Sequence, residues 1–268
     1  MTRKMERQEA IGKSEPSVAI YKVLIGKYDY CLNDLYQDKS IDYYLITDCN
    51  NNHLHGYTKL TAASLNVNNS LTNRFYKFNP PPELHEYDIK IYIDANYVQL
   101  GTFQDLINEF WQNNCNVGVF KNPYSANTLD EFDNCIKHNK ADANRVRLER
   151  QYFVSMLKRD ELPVSDNSIV FMKNDKNINE MMFALYDHLT AYTGRDQLSL
   201  FFIAKLYDEK IHIFNFSPRV RNWKKSYVMC FPHKSSGYSI KKIVKLYALR
   251  VEYALRWLAS LQLKDYQD

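Results

Sequence analysis

Glycine is scarce in this chain, 7 in 268 residues. Neither G-x-G-x-x-G nor G-x-x-x-x-G-K-[ST] occurs. The phosphate cradles of a Rossmann dehydrogenase and of a P-loop NTPase are therefore missing. Cysteine is scarce too: Cys31, Cys49, Cys115, Cys135 and Cys230 are odd in number and form no C-x-x-C. That usage points to neither a disulfide framework nor a zinc site. No apolar run reaches the roughly 20 residues of a membrane span, and the polar stretch from Met1 to Pro16 does not read as a signal peptide. A cytoplasmic protein with a mobile tail over residues 1–16 is expected. A large charge of one sign is also lacking. The net charge of +4 gives no basis for a nucleic-acid partner.

What is present is an ordinary globular mixture, 45% hydrophobic and 25% charged, rich in aromatics through 21 Tyr. A chain of this length buries a sizeable core, most simply as one domain. Apolar runs predict strands at Val18–Ile25, Ile41–Thr47, Ile89–Ile93, Asn116–Phe120, Ser168–Met172 and Ile211–Phe216. Helical spacing predicts helices at Leu71–Phe78, Thr102–Trp111 with Thr102 as N-cap, Thr128–Lys140, Arg145–Lys158, Ile178–Thr190, Gln197–Tyr207 and Ser239–Leu263. Their alternation predicts an α/β layered domain.

The segment Asp88-Ile-Lys-Ile-Tyr-Ile-Asp94-Ala-Asn96 is the most informative. Ile89, Ile91 and Ile93 alternate with Lys90 and Tyr92, and the strand ends in an acid, a spacer and an amide. Asp94 and Asn96 at a sheet rim suit a hard divalent cation that keeps waters and takes phosphate oxygens. A plain turn is the competing reading. Gly26-Lys-Tyr28-Asp29 and Asp48 also end strands, where an open α/β sheet binds ligands. Arg74 and Lys77, at i and i+3 of one helix, share a face that could meet a diphosphate. Otherwise they are solvated.

Asp196 opens an apolar helix, where a first-turn acid is stabilised. Its neighbours Arg195 and Gln197 suggest sugar contacts as well. His233 lies in a polar loop and is either a surface residue or a third metal ligand. From Arg219 to Arg256 the chain is basic. The last helix places Ile240, Ile243, Val244, Tyr247, Val251, Leu255 and Leu258 on one side. That side either packs on the domain with its charges facing water, or meets an anionic membrane.

Five motifs occur in order: Val18-Ala-Ile-Tyr with Gly26-Lys-Tyr-Asp29, Ile41-Asp-Tyr-Tyr with Thr47-Asp48, Asn73-Arg74-Phe-Tyr-Lys77, Tyr87-Asp-Ile with Tyr92-Ile-Asp94-Ala-Asn96, and Arg195-Asp-Gln-Leu-Ser199. With them the chain resembles, from Val18 to Phe216, the glycosyltransferase-like family known as domain of unknown function 616. The resemblance implies a GT-A type fold, a nucleotide-sugar donor and Mn²⁺ or Mg²⁺. The chain departs from the family pattern at Lys121-Asn122-Pro123, where a His-Pro or His-Arg step is usual. It also carries Asp94-Ala-Asn96 in place of Asp-x-Asp, so one metal ligand is neutral. More loosely, the order Asp94-x-Asn96, Asp196-Gln197, His233 is similar to the glycogenin-like transferases.

The resulting expectation is a GT-A type catalytic domain over residues 17–238, of α/β class with a mixed, mostly parallel sheet flanked by helices. Residues 239–268 form a basic amphipathic helix packed on it or extending from it. The function expected is metal-dependent transfer of a sugar in polysaccharide biosynthesis. The donor is a nucleotide-diphosphate sugar, UDP-sugar favoured, and the acceptor a glycan or lipid-linked glycan. Asp94, Asn96 and His233 would hold the metal. Gly26, Tyr28, Asp48, Arg74, Lys77, Asp94 and Arg195 would bind the donor. Asp196 and Gln197 would act at the sugar, Asp196 as general base or as donor contact, leaving inversion and retention both open. A peripheral membrane contact through residues 239–265 completes the picture. The alternative is a non-catalytic nucleotide- or glycan-binding module on the same fold. A nucleotidyltransferase is disfavoured by the missing glycine-rich first loop.

Overall fold

A computed structural model describes residues 15–26, 29, 32–157, 162–219, 227–232 and 240–264. The elements run β1 (Val18–Leu24), β2 (Asp42–Thr47), β3 (Thr58–Thr61), α1 (Asn69–Phe78), a 3-10 turn (Pro82–Leu84), β4 (Ile89–Ile93), β5 (Tyr97–Gln99), α2 (Gln104–Gln112), β6 (Val117–Lys121), α3 (Thr128–Lys137), α4 (Ala143–Leu157), β7 (Ser165–Lys173), α5 (Lys176–Ala191), α6 (Asp196–Leu206), β8 (Ile211–Phe214), β9 (Val228–Cys230) and α7 (Ile240–Lys264).

Seven strands form one sheet in the order β3-β2-β1-β4-β7-β6-β8. β7 runs antiparallel to both β4 and β6, and the other pairings are parallel. This is the α/β architecture expected: a mixed, mostly parallel sheet flanked by helices. β5 and β9 pair separately as a two-stranded antiparallel ribbon.

Both faces of the sheet are covered, which explains the near-continuous apolar strands. On one face Ile89, Ile91 and Ile93 pack with Leu106, Ile107 and Phe110 of α2. On the other, Tyr21, Val23 and Tyr92 join a core with Phe132 of α3, Phe153 of α4, Met181 of α5 and Phe202 of α6. Burying each isoleucine is worth about 1.5–3 kcal/mol. A one-residue slip of β4 would exchange its isoleucine face for Lys90 and Tyr92. The alternation therefore fixes where β4 ends, and with it the position of Asp94.

Local chemistry sets the other boundaries. Asn68 caps α1, its side chain accepting from Leu71 N, and Pro80, Pro81 and Pro82 follow its end. Asn127 caps α3 by accepting from Asp130 N. α2 differs from expectation: its N-cap is Phe103, with no side-chain cap bond, and Thr102 Oγ1 accepts from Gln104 N at 3.1 Å. The short strands β3, β5 and β9 escape detection from sequence. Three or four residues are too few to show a period, and β3 has no buried position.

α7 departs most from the expected packing. Leu246 and Leu249 are buried, and with half-buried Tyr253 they pack on Val98 of β5 and Met229 of β9. Of the predicted apolar side, Val244, Tyr247, Val251, Leu255 and Leu258 face outward at 53–62% exposure and Ile243 is 37% exposed, while the Ile240 side chain lies outside those described.

Candidate functional site

The carboxyl ends of β4, β6 and β8 and the start of antiparallel β7 converge on one rim of the sheet. A cavity of about 630 Å³ opens there. It is walled by Asp94 after β4, Asn122 after β6, Asn167 and Ser168 of β7, and Arg219 after β8. Arg74 and Lys77 of α1, the α6 start from Arg195 to Gln197, and a polar stripe of α3 complete the lining.

Asp94 is placed by two bonds. Its backbone N–H continues the ladder to Ser168 O at 2.8 Å, and Tyr92 donates its hydroxyl to Asp94 Oδ1 at 2.7 Å. Tyr92 is fully buried, and burial first, then the charges of Asp94 and Asp196, pushes its hydroxyl well up from the ordinary phenol value. It is therefore a permanent donor to Asp94. The Lys77 ammonium stands over the Tyr92 ring, 4.9 Å from its centre, and donates to Asp196 Oδ2 at 2.6 Å. Arg74 Nε lies 4.0 Å from Asp196 Oδ1.

Asp196 is the first residue of α6, and Gly194 reaches the turn before it with φ +68°. Burial alone would raise its carboxyl, but Lys77, Arg74 and Arg195 outweigh burial and hold it well below the usual carboxylate range. Asp196 is thus a fixed anion and a weak base. Arg195 donates to Gln197 Oε1 at 2.9 Å, and Gln197 donates to Ser165 O at 3.3 Å.

Five cations, Arg74, Lys77, Lys140, Arg195 and Arg219, line the cavity against three carboxylates, Asp94, Glu131 and Asp196. Its polar groups are also incompletely satisfied. Buried Arg74 Nε, Arg195 Nε, Asn167 Nδ2 and Ser168 Oγ have no hydrogen-bond partner, and all four residues line this cavity. Buried polar groups are nearly always paired. The lining thus combines an excess of cations with polar groups that the protein leaves unsatisfied.

Asn96 is oriented differently from Asp94. Only 2% exposed, it donates through Nδ2 to Phe231 O at 2.5 Å, and its backbone O accepts from Phe231 N at 2.9 Å. Its side chain borders a smaller neighbouring cleft of about 210 Å³, shared with Arg219, Cys230 and Lys245. Asn96 Oδ1 is buried without a partner. Asp94 and Asn96 thus border neighbouring clefts rather than a single one, and Arg219 lines both. Among the described residues no group of three His, Cys, Asp or Glu could hold a metal by itself.

The predicted positions thus divide. Arg74, Lys77, Asp94, Arg195, Asp196 and Gln197 come together in one cavity. Gly26 and Asp48 meet each other rather than the cavity. The Gly26 N–H donates to both Asp48 oxygens, at 2.8 and 3.1 Å. Gly26 has φ +65°, and a Cβ there would stand 2.5 Å from Asn69 Nδ2 at the start of α1. Tyr28 and His233 lie outside the described residues.

Several lining residues were not singled out from sequence. Glu131, Asn134 and His138 fall at i, i+3 and i+7, beside core-facing Phe132 and Cys135, and that polar stripe was readable. Arg219 begins the basic run and pairs with a buried acid. Its Nε is 2.6 Å from Asp166 Oδ2. Nothing in the spacing marks Asn167 and Ser168, which a register irregularity between β6 and β7 brings to the rim.

No protein-family model matches the chain and no curated protein matches it in sequence, so the family named from its ordered motifs stays a resemblance. Among solved structures the chain is similar to the apo form of WbbM, a bifunctional glycosyltransferase, at 13% identity and TM-score 0.42 over 89% of this chain and 45% of that one. It is similar to apo mouse xyloside xylosyltransferase 1 at 9% identity and TM-score 0.41, over 74% of this chain and 84% of that one. It is also similar to the glycosyltransferase GlyE of Streptococcus pneumoniae, at 9% identity and TM-score 0.40, over 75% and 45%. The chain spans less than half the length of WbbM and of GlyE.

Proposed function

We propose that this chain is a GT-A type glycosyltransferase domain that moves a sugar from a nucleotide-diphosphate donor to a glycan or lipid-linked acceptor. The observation that carries the reading is the set of atoms without a hydrogen bond, Arg74 Nε, Arg195 Nε, Asn167 Nδ2 and Ser168 Oγ, on residues lining a cavity where cations outnumber carboxylates. A sugar diphosphate offers both the anionic charge and the dense acceptor oxygens this lining lacks.

Arg74, Lys77 and Arg219 would meet the diphosphate. Asn167, Ser168, Arg195 and Gln197 offer hydrogen bonds to sugar hydroxyls. Asp94 and Asn96 Oδ1 would hold Mn²⁺ or Mg²⁺, with His233 as the further ligand expected from sequence. A cation bound there neutralises charge on a departing diphosphate. Of the two roles open to Asp196, the donor-side one is favoured. A carboxylate held this far below its ordinary pKa takes up a proton poorly at neutral pH, while it fixes Lys77 and Arg74 toward the ligand. UDP is the nucleotide to test first.

Calorimetry tests the reading. UDP is expected to bind at least tenfold more tightly with Mn²⁺ than with a chelator, and Asp94→Ala to erase that difference while the thermal midpoint stays. Equal UDP affinity in both conditions removes the metal-bridged donor. The neutral ligand Asn96 favours a second reading, a non-catalytic module of the same fold. Tight UDP-sugar binding with no hydrolysis or transfer across an acceptor panel would establish it.

A further inference from the structure

α7 presents two apolar faces, and the domain uses one. Leu246, Leu249 and Tyr253 pack on the β5–β9 ribbon, and Tyr253 also donates to Asn33 O at 3.1 Å. At 3.6 residues per turn, Val244, Tyr247, Val251, Leu255 and Leu258 fall within an arc of about 80°, roughly opposite that packed face. Each of the five is more than half exposed. From Ala254 to Ala259 every residue is exposed, so this stretch of the helix stands clear of the described core. A contiguous exposed apolar stripe of this kind marks an interaction surface.

Charge selects the partner. Lys245 and Arg256 fall on one flank of the stripe and Arg250 on the other, all at exposed positions. Over residues 240–264 the chain carries Lys241, Lys242, Lys245, Arg250, Arg256 and Lys264 against the single acid Glu252. Two copies pairing through their stripes would bring these cations together. An anionic surface would neutralise them while taking the apolar side chains. The helix lies in the plane of such a surface, since no helix among the described residues is long and apolar enough to cross a membrane.

We propose that the outer face of α7 docks this protein on an anionic lipid surface, through Val244, Tyr247, Val251, Leu255 and Leu258 with lysine and arginine on the flanks. The inner face adjoins the site. Lys245 borders the same small cleft as Asn96 and Arg219, so a docked helix would hold the sugar-diphosphate cavity close to the lipid headgroups. On the transferase reading, that placement fits an acceptor linked to lipid.

Co-sedimentation of the full chain decides the matter without requiring transfer activity. The vesicles are phosphatidylcholine alone, or phosphatidylcholine with about one-third phosphatidylglycerol. The chain should pellet with the anionic vesicles and not with the neutral ones. The bound fraction should fall several-fold from low salt to about 0.5 M, because headgroup attraction is screened. Val251→Asp and Leu255→Asp replace exposed side chains. They should keep the wild-type thermal midpoint and UDP affinity while losing at least tenfold in vesicle binding.

A chain that stays in the supernatant at low salt overturns the proposal. So do variants that bind vesicles as well as wild type, or equal binding to neutral vesicles. A lipid-free dimer dispersed by the same substitutions would reassign the stripe to a subunit interface. Absence of UDP binding by wild type would instead count against the transferase reading and leave the vesicle result standing.

Discussion

Two buried lysine–aspartate pairs lie on either side of the strand that carries Asp94, and they differ in what surrounds them. Lys22 and Asp34 meet at 2.8 Å with both side chains fully buried. Asp34 also accepts from Gln99 N at 2.7 Å and from the Tyr57 hydroxyl, and Lys22 donates a second bond to Tyr97 O at 2.8 Å. Lys77 and Asp196 meet at 2.6 Å in the cavity wall, beside Arg74 and Arg195 with Nε atoms that make no hydrogen bond. The chemical pair is the same. The first is closed by protein on every side and ties β1 to the β5 ribbon. The second is left open toward a cavity. Satisfaction of the surrounding donors, more than the ion pair itself, separates scaffold from site.

The largest effect is expected where the closed pair is broken. Asp34→Ala strands the Lys22 ammonium in the core and should cost about 3–5 kcal/mol in urea denaturation. UDP affinity per folded molecule should stay unchanged. A loss near zero would mean that the pair contributes little and that the comparison rests on Asp196 alone.

Breaking the open pair should act on chemistry first. Asp196→Asn should lower transfer by on the order of a hundredfold through misplacement of Lys77 and Arg74, with UDP affinity changed less than about tenfold. Wild-type transfer in this variant would leave Asp196 as a counter-ion only. The pair also carries an acid signature. Because the folded Asp196 carboxyl lies below its unfolded value, its stabilisation is present above the ordinary carboxylate range. It is lost as pH falls through and below that range. The stability gap between wild type and Asp196→Asn should therefore close on acidification.

Lys90 sharpens the contrast by a smaller amount. It is 2% exposed, with amide oxygens of Asn174 and Asn179 each 3.5 Å from its ammonium. Burial lowers it to about 8. The unfolded chain binds this proton more tightly, so stability should rise with pH from about 8 to the ordinary lysine value. At neutral pH Lys90→Met should stabilise the fold by about 1 kcal/mol, an advantage that shrinks above pH 8. An unchanged melting temperature at both pH values would show that water reaches the ammonium.

Much of the sheet was legible because its strands are long enough to show a pattern. Val18–Leu24 and Ile89–Ile93 are buried at every position, and α1 and α3 begin within about two residues of where helical spacing put them. The site was legible in part. Arg74, Lys77, Asp94, Arg195, Asp196 and Gln197 were named from strand ends and helix starts, and they share one cavity. Asn167 and Ser168 were not, since nothing local distinguishes them from loop residues, and Glu131 was not although its stripe on α3 was readable. α7 shows the opposite limit. Its apolar period was correctly read as a helix face, yet the face that packs is the one holding Leu246 and Leu249.

By itself, then, the sequence determined the period of each long element, and so the helices, the buried strands and the rim position of Asp94. Those follow from contacts between near neighbours in the chain, whose spacing is visible in the residues. Tertiary structure decided which polar groups end with partners and which do not. Lys22 found Asp34, Tyr97 O and closure. Lys77 found Asp196 and an open cavity 119 residues further on. Partner choice of that kind depends on strand order and on the antiparallel placement of β7. These are set by packing of the whole sheet, and no local pattern encodes them.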